Sequence, residues 1–413
     1  MGADSSKQGG KVLSTKPPQP VHQPQEPPYP GPPAQYQFVN TQVMISTQMT
    51  FSFSQSPMVT SNIDQYYPAL AAQYQEGYRL LSFYKVPGQQ QHQGLFNPSV
   101  AMGFQGIFCR YPSVPPRERW QLRIEKSVLQ LQRVYTGIIS FSNNQTIMSD
   151  TSHLLQSIAR NTQDGGRLVC IEMTGQQQQQ NFGMAMRGVS PMMGVDLFFE
   201  VPDTPTPEKY VYNCVSVPIG VTIQMGFRPV PQVHCDWIGA LAQNLGQGWR
   251  LIEIFMDMTT HTQAHGFSGQ STLNSMWMFE KPASRMNDPR PVYQGTVVDH
   301  QIQIRAGFGG SRTSANWEPV IQDMGNKGWE LACILETPDT KLVGMTTVVQ
   351  TCKLFFQRPL LPQQGFQAPA PPPYDAAVGG QGYDQGHGAE AAPPPPAGFN
   401  VVPPPPPPEK MGY

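Results

Sequence analysis

The sequence has little charge, no closely paired cysteines and no long apolar run. Only 13% of its 413 residues are charged, against roughly 25% in ordinary soluble domains. The 27 basic and 28 acidic residues leave a net charge of −1, which argues against a broad positive surface, so no nucleic-acid partner is predicted. No stretch approaches the ~18 to 20 apolar residues of a membrane span, and the N-terminal segment lacks the apolar core of a signal peptide.

The six cysteines are widely spaced, and none forms a C-x-x-C pair. A structural zinc site normally needs ligands paired at short spacing, so no metal and no cofactor is predicted. Reduced, mostly buried thiols in an intracellular protein are the simplest interpretation. His234 beside Cys235, and His261 with His265, do not assemble a nucleophile with a base or a third ligand, so the sequence does not indicate an enzyme.

One tetrapeptide recurs four times: glycine, a variable residue, a polar residue and leucine. The copies are Gly77-Tyr78-Arg79-Leu80, Gly165-Gly166-Arg167-Leu168, Gly248-Trp249-Arg250-Leu251 and Gly328-Trp329-Glu330-Leu331. A near-constant spacing predicts one structural unit used four times. The predicted units are residues 36–115, 116–205, 206–285 and 286–363. Both ends of the chain are rich in Pro, Gln and Gly, so residues 1–35 and 364–413 are predicted to be disordered tails.

The third copy is the clearest guide to the unit. Residues 210–225 alternate apolar and polar side chains, as a strand does, and a short amphipathic helix follows behind Asp236 as its N-cap. Gly248 then ends the helix where a left-handed residue is needed, and Gly77, Gly165 and Gly328 have the same predicted structural role. Two more strands follow. The predicted fold is therefore α+β, with four tandem β-α-β-β units packed into a compact core. The glutamine runs at residues 89–93 and 176–180 are interpreted as surface loops.

The N-terminus fits an acylation signal. Gly2 becomes terminal once the methionine is removed, and Ser6 stands at the favoured position, so myristoylation of Gly2 is predicted. An ordinary processed terminus is the alternative. A single myristoyl chain binds membranes only marginally, with a constant of about 10⁴ M⁻¹, so we expect the association to be reversible, with a cytosolic or endosomal pool.

The C-terminal tail contains Pro371-Pro372-Pro373-Tyr374, a PPxY sequence. Polyproline II geometry is preformed in such a segment, and the aromatic groove of a WW domain accepts two prolines and the tyrosine. Pro371, Pro372 and Tyr374 are therefore candidate partner-binding residues. Chance occurrence in a proline-rich tail is the competing interpretation.

Residues 328–338 (GWELACILETP) and 355–363 (FFQRPLLPQ) resemble the end of the conserved region of the raftlin family. Residues 70–81 (LAAQYQEGYRLL) are similar to its opening helix, and the resemblance extends over about residues 36–363. It implies an acylated protein on the inner face of the plasma membrane, in ordered lipid domains, that supports receptor signalling or internalisation. This chain has Ala3 where the family pattern has a second acylation site at cysteine.

These observations predict a non-enzymatic scaffold, anchored by lipid on the cytoplasmic side of the plasma membrane. Two alternatives stay open. One is a soluble interaction protein that recruits WW- or SH3-type partners through its tail, and the other is a repeat protein that binds a lipid headgroup or small ligand.

Overall fold

A computed structural model describes eleven segments of the core and one dipeptide near the C-terminus. They are residues 31–48, 58–93, 99–112, 119–136, 144–179, 191–203, 208–224, 230–265, 268–307, 310–344, 346–360 and 399–400. The predictions made for Gly2, Ser6, Pro371, Pro372 and Tyr374 lie outside these residues, as do most of the two predicted tails.

Each of the four units contains four strands and a helix. In the first unit these are β1 (Gln35–Gln48), β2 (Met58–Ser61), α1 (Tyr67–Ala72), β3 (Arg79–Gln93) and β4 (Ser99–Arg110), with short 3-10 turns at Ile63–Tyr66 and Gln73–Glu76 on either side of the helix. In the second they are β5 (Trp120–Thr136), β6 (Asn144–Asp150), α2 (Ser152–Gln163), β7 (Arg167–Gln179) and β8 (Pro191–Pro202).

The third and fourth units repeat this order. The third has β9 (Tyr210–Gln224), β10 (Val230–His234), α3 (Trp237–Leu245), β11 (Arg250–His265) and β12 (Ser268–Pro282), followed by a 3-10 turn at Ala283–Arg285. The fourth has β13 (Tyr293–Gly307), β14 (Gly310–Ser314), α4 (Glu318–Asn326), β15 (Glu330–Val343) and β16 (Thr347–Pro359). A two-residue strand, β17 (Phe399–Asn400), pairs with β9.

The strand order is the same in every unit and all of its pairings are antiparallel. The second strand pairs with the first, the first with the fourth, and the fourth with the third. The predicted α+β fold of β-α-β-β units is therefore wrong, because the described chain is mostly antiparallel sheet with small helices. The prediction missed a strand of four to seven residues before each helix, which is too short to produce a recognisable alternation.

The glutamine runs also differ from the prediction. Residues 89–93 lie in the end of β3, and residues 176–179 lie in the end of β7. Their backbones pair with β4 and β8, so these segments extend long hairpins where loops were predicted. Hydrogen bonding along the backbone compensates here for a sequence with little strand preference.

The third strand of every unit has a bulge at the same place. The pairing register with the fourth strand shifts after Leu80, Leu168, Leu251 and Leu331, the last residue of each repeated tetrapeptide. A bulge bends a strand and turns successive side chains to both of its faces. Leu251 and Ile252 are accordingly both buried, one in each of two neighbouring cores.

Each hydrophobic core is built from two consecutive units. The core beneath α3 is completed by Phe355 of the fourth unit, and the core beneath α4 contains Trp317 and Ile321 together with Tyr36 and Ile107 of the first unit. The fourth unit therefore packs on the first, and the four units form a closed ring.

Strand contacts follow the same cycle. The third strands β3, β7, β11 and β15 contact one another in sequence around the centre, and β15 contacts β3. Towards the outside, β2 pairs with β7, β6 with β11 and β14 with β3, while β10 contacts β15. The axis of the ring is therefore lined by four equivalent strands.

Candidate functional site

The repeated glycines stand where each helical segment turns into the third strand of its unit. Gly77, Gly165, Gly248 and Gly328 have φ angles of 79°, 83°, 84° and 77°. An L-residue reaches this left-handed region only at a cost of about 1 to 2 kcal/mol. The turn directs the next three residues of each copy to one end of the ring.

A cation from the fourth strand stabilises this turn in three of the units. Lys281 donates to the carbonyl of Gln247 at 2.9 Å and lies 5.5 Å from the ring centre of Trp249. Arg358 likewise donates to the Lys327 carbonyl at 3.1 Å and stacks on Trp329 at 4.2 Å, and Arg110 makes the equivalent contacts with Glu76 and Tyr78. Carbonyls at a helix end need such donors. The aromatic residue after the glycine holds the donating cation in place by stacking against it, so its role is structural.

The second unit has no such pair. Gly166 and Val201 occupy the two positions, and Arg123 of β5 extends to the same place and donates to the carbonyl of Asn161. A Cβ at Gly166 would lie 2.9 Å from Nη2 of Arg123 and 2.7 Å from that carbonyl. A side chain at this position would clash, so glycine is required here, whereas the equivalent residue in each of the other units is aromatic.

The polar residue of the tetrapeptide links one unit to the next. Arg79 forms a two-pronged ion pair with Glu200 of the following unit, with Nε 3.0 Å from each carboxylate oxygen. Arg167 pairs in the same way with Glu280, with Nε–O distances of 3.0 and 2.9 Å. Arg250 donates to Glu280 at 2.7 Å and also pairs with Glu330. Planar two-pronged pairs of this kind are strong and directional.

These ion pairs determine the charge states at this end of the ring. Burial by itself would raise the pKa of Glu280, but Arg167 and Arg250 outweigh it and the pKa lies below its ordinary value. Arg250 and the hydroxyl of Tyr111 have the same effect on the pKa of Glu330. Burial lowers the pKa of Arg79, and Glu200 reverses the shift to a net increase. Glu280, Glu330 and Arg79 are therefore ionised at neutral pH.

At the seam between the fourth and first units, Glu330 meets neutral groups of the first unit instead of an arginine. Tyr111 donates to Glu330 at 2.7 Å. Cys109 occupies the position that Glu200 and Glu280 occupy in their own units. Burial, followed by the charge of Glu330, raises the pKa of the Cys109 thiol well above its usual range. The thiol is therefore protonated and is not a candidate nucleophile.

The four tetrapeptides surround a cavity of about 1320 Å³ on the ring axis. Residues 79–81, 167–169, 250–252 and 330–332 line it, so every unit contributes the same segment. One side of the cavity is lined by Trp120, the first residue of β5, and by Arg119 just before it. Arg79 stacks on Trp120 at 4.9 Å. A concave site with several fixed polar groups is typical of ligand binding.

The cavity has few of the groups that general acid–base or nucleophilic chemistry needs. Of its four lining carboxylates, Glu200 and Glu330 are held in ion pairs, Glu76 and Asp203 lie at its margin, and its lining thiol Cys109 is protonated. Elsewhere, the pKa of Cys235 is raised to about 11, first by burial and then by Asp236, and His261 lies within β11. In the part of the chain that the structure describes, no cluster of three or more His, Cys, Asp or Glu side chains could hold a metal ion.

Two buried carboxylates lie deeper in the centre of the ring. Glu253 accepts the backbone N–H of Ile171 at 3.3 Å and that of Ile254 at 2.8 Å, and so bridges β7 and β11. Glu172 accepts the backbone N–H of Lys85 at 3.1 Å and that of Met173 at 2.9 Å, and so bridges β3 and β7. Burial raises the pKa of Glu253 to about 8 and that of Glu172 to about 7.

Of the residues singled out from the sequence, the structure brings the four repeat glycines together at one end of the ring. The arginine–glutamate pairs were not foreseen. Their signal was present in part. The third tetrapeptide position is Arg, Arg, Arg and Glu, and the closing strands of the second and third units contain Glu200 and Glu280. The partner of each arginine lies in the next unit, which the sequence of one copy does not indicate.

These features define a class of protein: a closed ring of four repeated antiparallel units around a polar axial cavity. A model of the raftlin family matches residues 135–370, more than half of the chain. The chain belongs to the raftlin family. The match starts in β5 and extends past β16, so β1–β4 lie before it.

Three curated relatives are similar to part of the chain. Raftlin of Gallus gallus is 22% identical over 201 residues, which cover 48% of this chain and 31% of that protein. Raftlin of Homo sapiens is 21% identical over 175 residues (42% and 29%), and raftlin of Mus musculus is 22% identical over 176 residues (42% and 30%). The matched part therefore spans about a third of the length of these relatives. No solved structure matches the chain. Within the described segments, no helix has both the length and the apolar character to span a membrane.

Proposed function

We propose that this protein is a non-enzymatic scaffold on the cytoplasmic side of the plasma membrane. The observation that carries the proposal is the closure of the ring, in which the buried arginine–glutamate ion pairs link one unit to the next. A rigid body of this kind is suited to present surfaces, because repeat architectures generally bind partners rather than catalyse reactions. Membership of the raftlin family supports a role at lipid rafts, in receptor signalling or internalisation.

The proposed attachment uses a myristoyl chain on Gly2, with Ser6 completing the signal. One saturated chain gives reversible binding, so the ring must add surface contacts for longer residence. Pro371, Pro372 and Tyr374 recruit a WW-domain partner to the membrane in this scheme.

The test of attachment compares membrane fractionation of the wild type with that of Gly2→Ala, alongside intact-mass analysis of the N-terminus. Gly9→Ala is the matched control, because it makes the same change in the same tail without altering the signal. We expect a myristoyl mass on the wild type and on Gly9→Ala, and a shift of Gly2→Ala to the soluble fraction. An unmodified terminus with all three forms soluble would favour the alternative of a soluble interaction protein.

The test of recruitment is a pull-down with isolated WW domains. Tyr374→Ala should abolish binding, whereas Tyr383→Ala, a tyrosine outside the motif in the same tail, should not. Equal binding by both variants would remove the WW domain from the proposed function.

A further inference from the structure

Three arginines at equivalent positions of the ring converge on the axial cavity. Arg79, Arg167 and Arg250 each follow their left-handed glycine by two residues, on neighbouring strands β3, β7 and β11. All three line the cavity. Three positive charges grouped in this way repel one another. The buried carboxylates behind them offset part of this repulsion, and an anion bound in the cavity would offset more of it.

In two of these ion pairs the carboxylate is hidden while the guanidinium group is exposed to the cavity; the third arginine, Arg250, also pairs with Glu330, which is as exposed as Arg250 itself. The side chain of Glu200 is 2% exposed and that of its partner Arg79 is 40% exposed. Glu280 is 1% exposed and its partner Arg167 is 13% exposed. These two pairs therefore present their cationic side to the cavity. The whole lining contains five arginines and four carboxylates and has a net charge of +1: Arg79, Arg110, Arg119, Arg167 and Arg250 against Glu76, Glu200, Asp203 and Glu330.

Each guanidinium also has donors that its carboxylate does not use. Arg79 and Arg167 donate through Nε and Nη2, and Arg250 through Nη1 and Nη2. Within the described residues, Nη1 of Arg79 and Arg167 and Nε of Arg250 donate to no protein group. The buried polar atoms left without a partner in this part of the chain are Gln73 Oε1 and Arg123 Nε. The unused arginine nitrogens are therefore not enclosed by protein, and they are open to the cavity.

Aromatic rings fix the orientation of two of these groups. Arg79 stacks on Trp120 at 4.9 Å, and Arg167 stacks on Tyr210 at 4.5 Å. A stacked guanidinium that is also held by a carboxylate loses little further freedom when it binds a ligand. Arg119, which is exposed, adds a further positive charge to the cavity lining.

We propose that the axial cavity binds a phosphate-bearing organic anion through Arg79, Arg167 and Arg250. Guanidinium groups match the oxygens of phosphate in geometry and charge. The cavity is larger than the roughly 300 to 1,000 Å³ of most ligand sites, so it suits a molecule with several phosphates better than a single inorganic ion. The ligand is either a soluble phosphate ester or the headgroup of a phosphorylated lipid. This site goes beyond the proposed scaffold function and does not depend on the acyl anchor.

The experiment measures binding of inositol trisphosphate by isothermal titration calorimetry and by the shift in thermal midpoint. All proteins carry Gly2→Ala, so that acylation does not contribute. The test variant is Arg79→Gln with Glu200→Gln, which removes one ion pair from the ring, keeps its net charge and leaves a neutral polar side chain at each position. The control is Arg160→Gln with Glu125→Gln, an exposed ion pair that does not line the cavity.

We expect saturable binding to the parent and to the control. In the test variant, loss of charged hydrogen bonds should weaken binding by about 10-fold or more. Absence of saturable binding to the parent, or equal affinity in both double variants, would overturn the proposal. If the test variant does not fold by circular dichroism, Arg119→Gln replaces it, and unchanged affinity in that variant would then count against the site.

Vesicles distinguish the two sources of the ligand. The parent protein is sedimented with phosphatidylcholine vesicles that contain either phosphatidylinositol bisphosphate or phosphatidylserine at equal charge. A headgroup site is identified if the protein sediments with the bisphosphate vesicles but not with the phosphatidylserine vesicles, and if free inositol trisphosphate prevents this sedimentation. Binding of free inositol trisphosphate without sedimentation identifies a soluble ligand.

Discussion

The hydroxyl of Tyr36 accepts the backbone N–H of Leu331 at 2.8 Å, across 295 residues of sequence. The same hydroxyl donates to the carbonyl of Trp329 at 3.1 Å. One side chain at the start of the first unit thus completes the backbone hydrogen bonding of the fourth unit, and it does so at the seam where no arginine pair is present.

Tyr36→Phe should therefore destabilise the whole ring. Removing the hydroxyl leaves a buried N–H and a buried carbonyl without their partner, which costs about 1 to 3 kcal/mol, while the ring of Phe preserves the packing. The measurement is the free energy of unfolding in urea. Tyr78→Phe is the matched control, because the Tyr78 hydroxyl makes no hydrogen bond within the described residues, and an equal loss in both variants would contradict the assignment.

Glu280 is the carboxylate shared by two arginines, so its removal should be costly. Glu280→Ala leaves Arg167 without its ion pair and Arg250 with one partner, and breaking a buried pair in this way costs about 3 to 5 kcal/mol. Asp64→Ala breaks the exposed pair with Lys126 and should cost about 0 to 1 kcal/mol. Chemical denaturation of both variants checks the difference. A cost for Glu280→Ala as small as that of the exposed pair would mean that the buried pairs do not hold the ring together.

The repeat glycines should differ in how well they tolerate alanine. Gly77→Ala meets no atom within 4 Å, so it should cost only the left-handed backbone, about 1 to 2 kcal/mol. At Gly248 a Cβ would also lie 2.7 Å from the carbonyl oxygen of Arg290, so Gly248→Ala should cost more. Thermal unfolding of the two variants tests this order, and a reversed order would contradict the packing described for the third unit.

The central carboxylates should make stability depend on pH above their ordinary pKa of 4.5. The folded state raises the pKa of Glu253 to about 8 and that of Glu172 to about 7, so folding favours their protonated forms. Their contribution to stability is full below the unfolded pKa and is lost as pH rises through the folded values. Stability should therefore fall between about pH 5 and pH 8, by at most about 1.4 kcal/mol per pH unit for each group.

Glu253→Gln resembles the protonated form and should reduce this slope. Asp288→Asn is the control, because the Asp288 pKa is lowered by its hydrogen bonds with Arg290 and Arg285, and this group titrates below the window. The measurement is the free energy of unfolding in urea at a series of pH values. An unchanged slope in Glu253→Gln would show that Glu253 is ionised in the folded state throughout this range.

The helices and their ends could be predicted from the sequence, because the signals are local. Asp236 caps α3 by accepting the N–H of Gly239 at 2.9 Å, as its position before an apolar period predicts. The left-handed backbone at the glycines follows equally from the helix signals around them. The long first strand of the third unit was also correctly predicted from its alternation.

The missing strands and the ring could not be predicted in the same way. Residues 310–314 (GSRTS) contain no apolar alternation, and they become a strand because β13 and β3 offer backbone partners on both sides. The pairing of Arg167 with Glu280 depends on two units lying side by side. Such contacts arise from tertiary structure, and one chain without related sequences gives no sign of which copies are neighbours.

The shared cores also constrain the order of events during synthesis. The core beneath α4 needs Tyr36 and Ile107 from the first unit, so the apolar surface that these residues form stays uncovered until the ribosome has released β16, the last strand of the fourth unit. Contacts over such sequence separations form slowly, and partly made chains with open apolar faces are prone to aggregate. Premature termination anywhere before β16 therefore leaves two unmatched faces rather than a shorter stable array.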